Sequence, residues 1–273
     1  MGLWLGVYSY LLTYLLLPSI LDLLTRGMLT AQSYQGQRIP EGAGIVILIA
    51  TGVSLMSTLP FYWPQWEREG LVFLFFLLAI GLLGLLDDSL SQKGIKGLQG
   101  HLDYFFREGC LSTGLLKALG GVSTALFVSW LLSGDLYLFF LNSLLLCLST
   151  NALNLLDLRP GRSGKAFLLV MFITLWHSSR AAPLFLLTAV LGSVLAYLPA
   201  DLQGQAMLGD TGANLLGASL GMAQLWSFSP RLKVTVVLLL IGLHVFCEAF
   251  SLSKIIAAIP FLEFLDGIGR SKR

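Results

Sequence analysis

Apolar runs approaching the ~20 residues that cross a bilayer core recur along the whole chain. Nine stretches read as helices, near 2–24, 43–62, 70–88, 113–132, 136–154, 165–179, 183–199, 211–227 and 232–251, each divided from the next by polar or Gly/Pro-rich residues. Only 12% of the residues are charged, about half the share in a soluble domain, and the mean hydropathy is +0.80. A chain so patterned is expected to be all-α, a polytopic membrane helix bundle of about nine transmembrane helices.

Charge sets the expected orientation. Of the 17 lysines and arginines, 13 fall in segments on one side of such a bundle, and four (Arg68, Arg180, Arg231 and Lys233) fall on the other. The basic side is the cytoplasmic one by the positive-inside rule, which puts the N-terminus outside and the C-terminus in the cytoplasm. No basic residue precedes the first run, so it reads as a permanent helix rather than a cleaved signal. Residues 254–268 carry Lys254, Glu263 and Asp266 and are interrupted by Pro260. That stretch is too polar to span and reads as an amphipathic piece on the membrane surface. The chain thus divides into a transmembrane part, 1–251, and a basic cytoplasmic tail, 252–273. A net charge of +2, with no basic patch interleaved with aromatics, gives no sign of a nucleic-acid partner. Cys110, Cys147 and Cys247 lack metal-ligand spacing and read as small apolar residues.

Four inner segments carry polar residues that a membrane anchor does not need. Asp87 and Asp88 end an unbroken apolar run. Adjacent carboxylates at a membrane boundary repel each other, which suits a divalent metal or a proton acceptor; a solvated helix end is the plainer alternative. Asn151, Asn154 and Asp157 are spaced three apart, a spacing that stacks them on one helix face. Arg159, Arg162 and Lys165 follow in a loop able to receive phosphate, or simply to mark the inner side. Gly209-Asp210-Thr211-Gly212 opens another helix without any local cation. Asp210 there reads as a helix cap or as a metal ligand. The loop Gln35–Gly44 contains Arg38, and Lys93, Lys96 and His101 follow the aspartate pair, with Lys117 beyond them. Hard carboxylates beside several cations point to Mg²⁺ or Mn²⁺ acting on phosphates, and no HExxH or Cys/His cluster offers a zinc site.

Asp87-Asp88, Asn151-xx-Asn154-xx-Asp157 and Gly209-Asp210-Thr211-Gly212, in that order and across residues 35–250, resemble the motifs of the polyprenyl-phosphate N-acetylhexosamine-1-phosphate transferases. That family includes the phospho-MurNAc-pentapeptide translocase and the GlcNAc-1-phosphate transferases of envelope polysaccharide synthesis. The resemblance implies transfer of a sugar 1-phosphate from a UDP-sugar to undecaprenyl phosphate at the cytoplasmic face, with release of UMP. It implies Asp87 acting on the acceptor phosphate with Asp88 assisting, and Mg²⁺ on Asp210 with Asp88. It implies substrate contacts from Lys117, Asn151, Asn154, Asp157, Arg159, Arg162, Lys96, Arg38 and His101. A homodimer is also implied. The chain departs from the family pattern at Pro160, where a second acidic residue is usual, and its three histidines, His101, His177 and His244, include no late histidine-rich loop.

His244 and Glu248 stand four apart inside the last apolar run. An intramembrane Glu is a functional candidate, and a satisfied polar pair between helices is an equal reading. Two other functions stay open for the chain: an ion- or proton-coupled transporter, and an inactive relative that binds the lipid carrier. A transporter should hold its ionisable groups near the midplane. The aspartates here fall at helix ends, which favours the enzyme.

Overall fold

A computed structural model describes residues 2–62, 66–90, 97–178 and 183–270. Among them are α1 (Gly2–Arg26), a β-ribbon of β1 (Thr30–Gln32) and β2 (Arg38–Pro40), α2 (Ile45–Thr58), α3 (Glu67–Leu90), α4 (Gly97–Glu108) and α5 (Thr113–Leu132). Then come α6 (Leu136–Leu156), α7 (Arg162–Trp176), α8 (Leu187–Leu202), α9 (Gly209–Ser227), α10 (Pro230–Ala249), α11 (Leu252–Ala258) and α12 (Pro260–Gly267). The chain is a membrane helix bundle.

Each of the nine expected stretches falls on a helix, but among the described residues six are long and apolar enough to cross a membrane: α1, α3, α5, α6, α8 with the 3₁₀ turn before it, and α10. The other three are α2, α7 and α9. α2 runs 14 residues and passes into a 3₁₀ turn at Leu59–Tyr62, where Pro60 interrupts it. α7 has 15 residues. α9 carries Asp210, Thr211, Asn214, Ser219 and Gln224, yet every residue from Thr211 to Leu225 is buried. It sits at the centre, packed by α2, α3, α6, α7 and α8. A helix that meets protein on all sides need not be apolar enough for lipid.

Two elements were not expected from the sequence. α4 lies within the inner stretch 89–112, which read as a loop; its Leu102, Phe105 and Phe106 form an apolar side that is exposed in the chain alone. The β-ribbon pairs Thr30 with Pro40, Ala31 with Ile39 and Gln32 with Arg38, a small exception to the all-α expectation. Its strands are three residues each, too short for a period-2 pattern to register.

Lipid gives helices no hydrophobic drive to associate, so small residues and buried hydroxyls hold them. α1 meets α8 where a Cβ on Gly192 would come within 2.0 Å of the carbonyl oxygen of Gly6. Beside that contact Ser193 Oγ lies 2.6 Å from Ser9 Oγ and accepts from Thr13 Oγ1 at 2.9 Å. The same device brings α3 against α9: a Cβ on Gly84 would lie 2.6 Å from the carbonyl oxygen of Asp210. That contact is one turn from Asp87 and Asp88.

The tail is a docked element. Asp266 on α12 takes the Arg162 guanidinium bidentately, Nε and Nη2 each at 2.8 Å, while Arg162 Nη1 donates to Ser253 Oγ at 3.1 Å. Arg270 donates to Asp266 Oδ2 at 3.1 Å and to the Pro160 carbonyl at 2.9 Å. Lys165 donates to the carbonyls of Asp266 (2.6 Å) and Ile268 (3.1 Å), among the last carbonyls of α12, where a cation offsets the helix dipole.

Candidate active site

The site begins with the helix end that α9 cannot cap for itself. Its flanking residue, Leu208, has no side-chain acceptor. Asp88, on the last turn of α3, supplies one from another helix. Its Oδ1 accepts the Asp210 N–H at 2.8 Å, and its Oδ2 accepts the Thr211 N–H at 2.9 Å and the Thr211 hydroxyl at 2.6 Å. A carboxylate on a helix N-terminus meets both the unpaired N–H groups and the positive end of the dipole. Asp88 therefore fixes where Asp210 stands. Gly42 and Gly209 make room for it: both have positive φ (+71° and +70°), and a Cβ on either would press on Asp88 Oδ2, at 3.1 and 2.6 Å.

Asp87 points the other way. Its Oδ2 lies 2.5 Å from Lys117 Nζ, and the same ammonium pairs with Asp210 Oδ2. Lys117 comes from the second turn of α5, whose start Ser112 caps by accepting the Leu115 N–H at 3.4 Å. Ser112 also meets His101 Nδ1 at 2.9 Å, tying α4 to α5. Two carboxylates from separate helices thus converge on one cation, and all three side chains are largely buried. Glu41, in the loop between β2 and α2, is held above the usual carboxylate range by burial and then by the charge of Asp88.

A cavity of about 580 Å³ opens beside this cluster. Asp87, Lys117, His101, Asn151 and Asn154 line its polar end. Ile80, Leu83, Ala118 and Val122 continue it as an apolar surface between α3 and α5. Asn151 and Asn154 share one face of α6, as their spacing predicts. Asp157 leaves that face: it follows the last residue of α6, with φ −76° and ψ 53°, so the three-residue periodicity stops before it. Burial, then the charge of Asp201, raises the Asp157 carboxyl well above its usual range.

The basic residues go elsewhere than expected. Arg162 is 7% exposed and committed to Asp266, in place of the phosphate contact read from the sequence. Arg159 stacks on Tyr34, its guanidinium carbon 4.6 Å from the ring centroid. Arg38 is exposed on β2. None of the three, nor Asp157, lines the cavity. Lys96 lies outside the described residues. Asn214 of α9 and His244 and Glu248 of α10, absent from the sequence-derived site, are among the residues that do line it. Asn214 follows the Gly-Asp-Thr-Gly turn by two residues, and the helical spacing from Asp210 to Asn214 was the signal that could have found it. His244 and Glu248 do not pair with each other: His244 Nδ1 bonds the Leu240 carbonyl at 2.7 Å, and Glu248 makes no ion pair among the described residues.

Among the described residues no three His, Cys, Asp or Glu gather as a metal cage. Mg²⁺ does not need one, since it is held by one or two carboxylates together with substrate phosphates and water. Asp87 and Asp210, already converging on a single cation, fit that pattern. Asp88, with both oxygens bound to α9, fits it less well than the sequence suggested.

No family model matches the chain. It is 27% identical over 232 residues to the phospho-N-acetylmuramoyl-pentapeptide-transferase of Enterococcus faecalis, an alignment covering 78% of this chain and 67% of that one.

Proposed function

We propose that the protein transfers a sugar 1-phosphate, from a UDP-linked N-acetylhexosamine, to undecaprenyl phosphate at the cytoplasmic membrane face, releasing UMP. The observation that carries this reading is the Asp87–Lys117–Asp210 cluster at the head of a cavity that turns apolar between α3 and α5. A polyprenyl acceptor needs lipid and a nucleotide donor needs water, and a site at helix ends beside an apolar cleft offers both. The similarity to a transferase acting in the same chemistry supports it. The side carrying 13 of the 17 basic residues is taken as cytoplasmic.

Phosphoryl transfer asks for positioning and charge neutralisation more than for covalent help. Asp87 would accept or orient the acceptor phosphate's proton. Asp87 and Asp210 would hold Mg²⁺ together with the substrate phosphates; the ion supplies neutralisation of charge on the transferred group. Lys117, released from the carboxylates, would contact the diphosphate, and Asn151, Asn154 and His101 would donate to the nucleotide side. Asp88 would act through Asp210, as a positioning residue.

The test is direct. Purified full-length protein is incubated with undecaprenyl phosphate, Mg²⁺ and a panel of UDP-sugars, and UMP is measured. UMP release that depends on the lipid supports the proposal, and Asp87→Asn or Asp210→Asn should abolish it with expression unchanged. No UMP from any donor, beside a working control enzyme, refutes it.

A further inference from the structure

The cavity has a second polar wall that the proposed phosphate chemistry leaves unused. Asn214 is 3% exposed, and its Nδ2 has no hydrogen-bond partner among the described residues. His244 holds Nδ1 at 2.7 Å from the Leu240 carbonyl. A carbonyl can only accept, so Nδ1 carries the proton; in the tautomer with that single ring proton, Nε2 is an acceptor. That Nε2 is shielded from solvent and also has no partner. Glu248, one turn further along α10 at its exposed end, forms no ion pair or hydrogen bond within the described residues. All three line the same cavity as Asp87 and Lys117.

Shielded polar atoms without a partner, here Asn214 Nδ2 and His244 Nε2, are costly, and those that persist inside a membrane bundle mark a ligand path. α10 packs mainly on α6 and is otherwise turned to lipid, so neither His244 nor Glu248 answers a packing need. Their chemistry narrows the ligand. A carboxylate and an imidazole lone pair require O–H or N–H donors. The Asn214 amide nitrogen requires an acceptor. A phosphate offers acceptors only and is repelled by Glu248. A prenyl chain offers neither donors nor acceptors. A hexose ring offers hydroxyls, and a 2-acetamido group adds one N–H and one carbonyl.

We infer that Asn214, His244 and Glu248 form the subsite that receives the sugar ring of the donor, an N-acetylated hexose, and so determine donor specificity. The inference rests on the transferase reading above. It gives the sugar recognition to α9 and α10, on the wall of the cavity that faces Asp87 and Lys117.

The experiment measures equilibrium binding of UDP, UDP-glucose, UDP-N-acetylglucosamine and UDP-N-acetylgalactosamine to the full-length protein in detergent with Mg²⁺. Wild-type protein should bind one of the acetylated donors at least tenfold more tightly than UDP. Glu248→Gln and His244→Phe should each cut that advantage five- to tenfold while holding UDP within twofold of wild type, which also shows that they fold. Asn214→Leu, close in volume, should erase the preference for acetylated over plain hexose. Variants that keep the full sugar advantage, or that lose UDP and UDP-sugar equally, overturn the subsite. A rise in KM for undecaprenyl phosphate with donor affinity intact overturns it in favour of a lipid-headgroup contact. Wild-type binding of UDP with no gain from any sugar overturns the subsite alone. Failure of the wild type to bind any of the four overturns the transferase reading with it.

Discussion

Asp88→Asn separates a positioning role from a metal-binding one. Asp88 uses both oxygens, one for the Asp210 N–H and one for the N–H and hydroxyl of Thr211. Asparagine offers a single acceptor oxygen, and its NH₂ faces donors on the other side. At least one donor of the α9 first turn is orphaned, at about 1–3 kcal/mol. Loss of the anion from the helix N-terminus adds roughly 0.5–1 kcal/mol. The sum, about 1.5–4 kcal/mol, corresponds to an apparent melting shift on the order of 3–16 °C at ~2–4 °C per kcal/mol. Differential scanning fluorimetry of the full-length protein, at one fixed scan rate because membrane proteins often unfold irreversibly, reads that shift. Asp87→Asn is the control: its carboxylate meets the side chains of Lys117, Thr113 and Asp210 rather than a helix N-terminus, and Lys117 keeps Asp210. That variant should melt within about 2 °C of wild type, on the same scale. Both should lose turnover. An Asp88→Asn protein that melts with the wild type while losing turnover would refute the capping argument and return Asp88 to the reacting centre.

Lys117→Met leaves the Asp87 and Asp210 carboxylates facing each other without a cation. The variant should be less stable without divalent ions and should gain more from 10–20 mM Mg²⁺, on the order of a few °C beyond the wild-type gain in the same fluorimetric scan; equal gains would show that the ion does not enter between these carboxylates. Gly84→Ala pushes a methyl group against the backbone of Asp210 and should cost about 1–3 kcal/mol together with most of the turnover; wild-type stability and activity would mean that α3 and α9 are not in contact there. Burial alone would raise the Asp266 carboxyl, but hydrogen bonds from Arg162 and Arg270 outweigh it and hold the group well below the usual carboxylate range. A depressed folded pKa stabilises docking above the unfolded value, near 3.9, and that stability fades only as pH falls below it. Protease cleavage near α12 should therefore be flat from about pH 8 to 5 and rise under more acid conditions, whereas Asp266→Asn should be cut readily throughout; cleavage of the wild type that rises near neutrality would contradict this.

What the sequence made legible follows from which signals are local. Apolar runs locate the helices because bilayer thickness imposes a length, and Thr113–Leu132 is found to the residue. Asp87, Asp210, Asn151 and Asn154 stood out because each is polar at the end of an apolar run, and the structure gathers them. The destinations of the cations were not legible. Arg162 and Lys165 read as phosphate ligands until α12, about 100 residues later, is seen to take them both. The same long-range blindness made Asp88 a metal candidate, because its partners lie 122 and 123 residues away on α9. α9 itself was read as spanning by its length, yet it carries polar residues because other helices surround it.

The redistribution of charge bears on the chemistry. Three carboxylates, Asp87, Asp88 and Asp210, stand with one ammonium, Lys117, which leaves a formal −2. The α9 N-terminus offsets about half a charge of that at Asp88, the usual size of a helix-end dipole. The arginines that the sequence placed nearby are held by Asp266 and Tyr34. A phosphate acceptor and a diphosphate donor, both anionic, would approach a site that is itself anionic. Lys117 cannot neutralise the substrates and the carboxylates together, since each carboxylate that it leaves becomes a bare charge in a low-dielectric setting. Asp87 and Asp210 would instead hold a divalent cation, which would supply the missing positive charge and leave Lys117 free to contact a phosphate. On the proposed reading a divalent ion would serve the electrostatic entry of the substrates as much as the transfer itself.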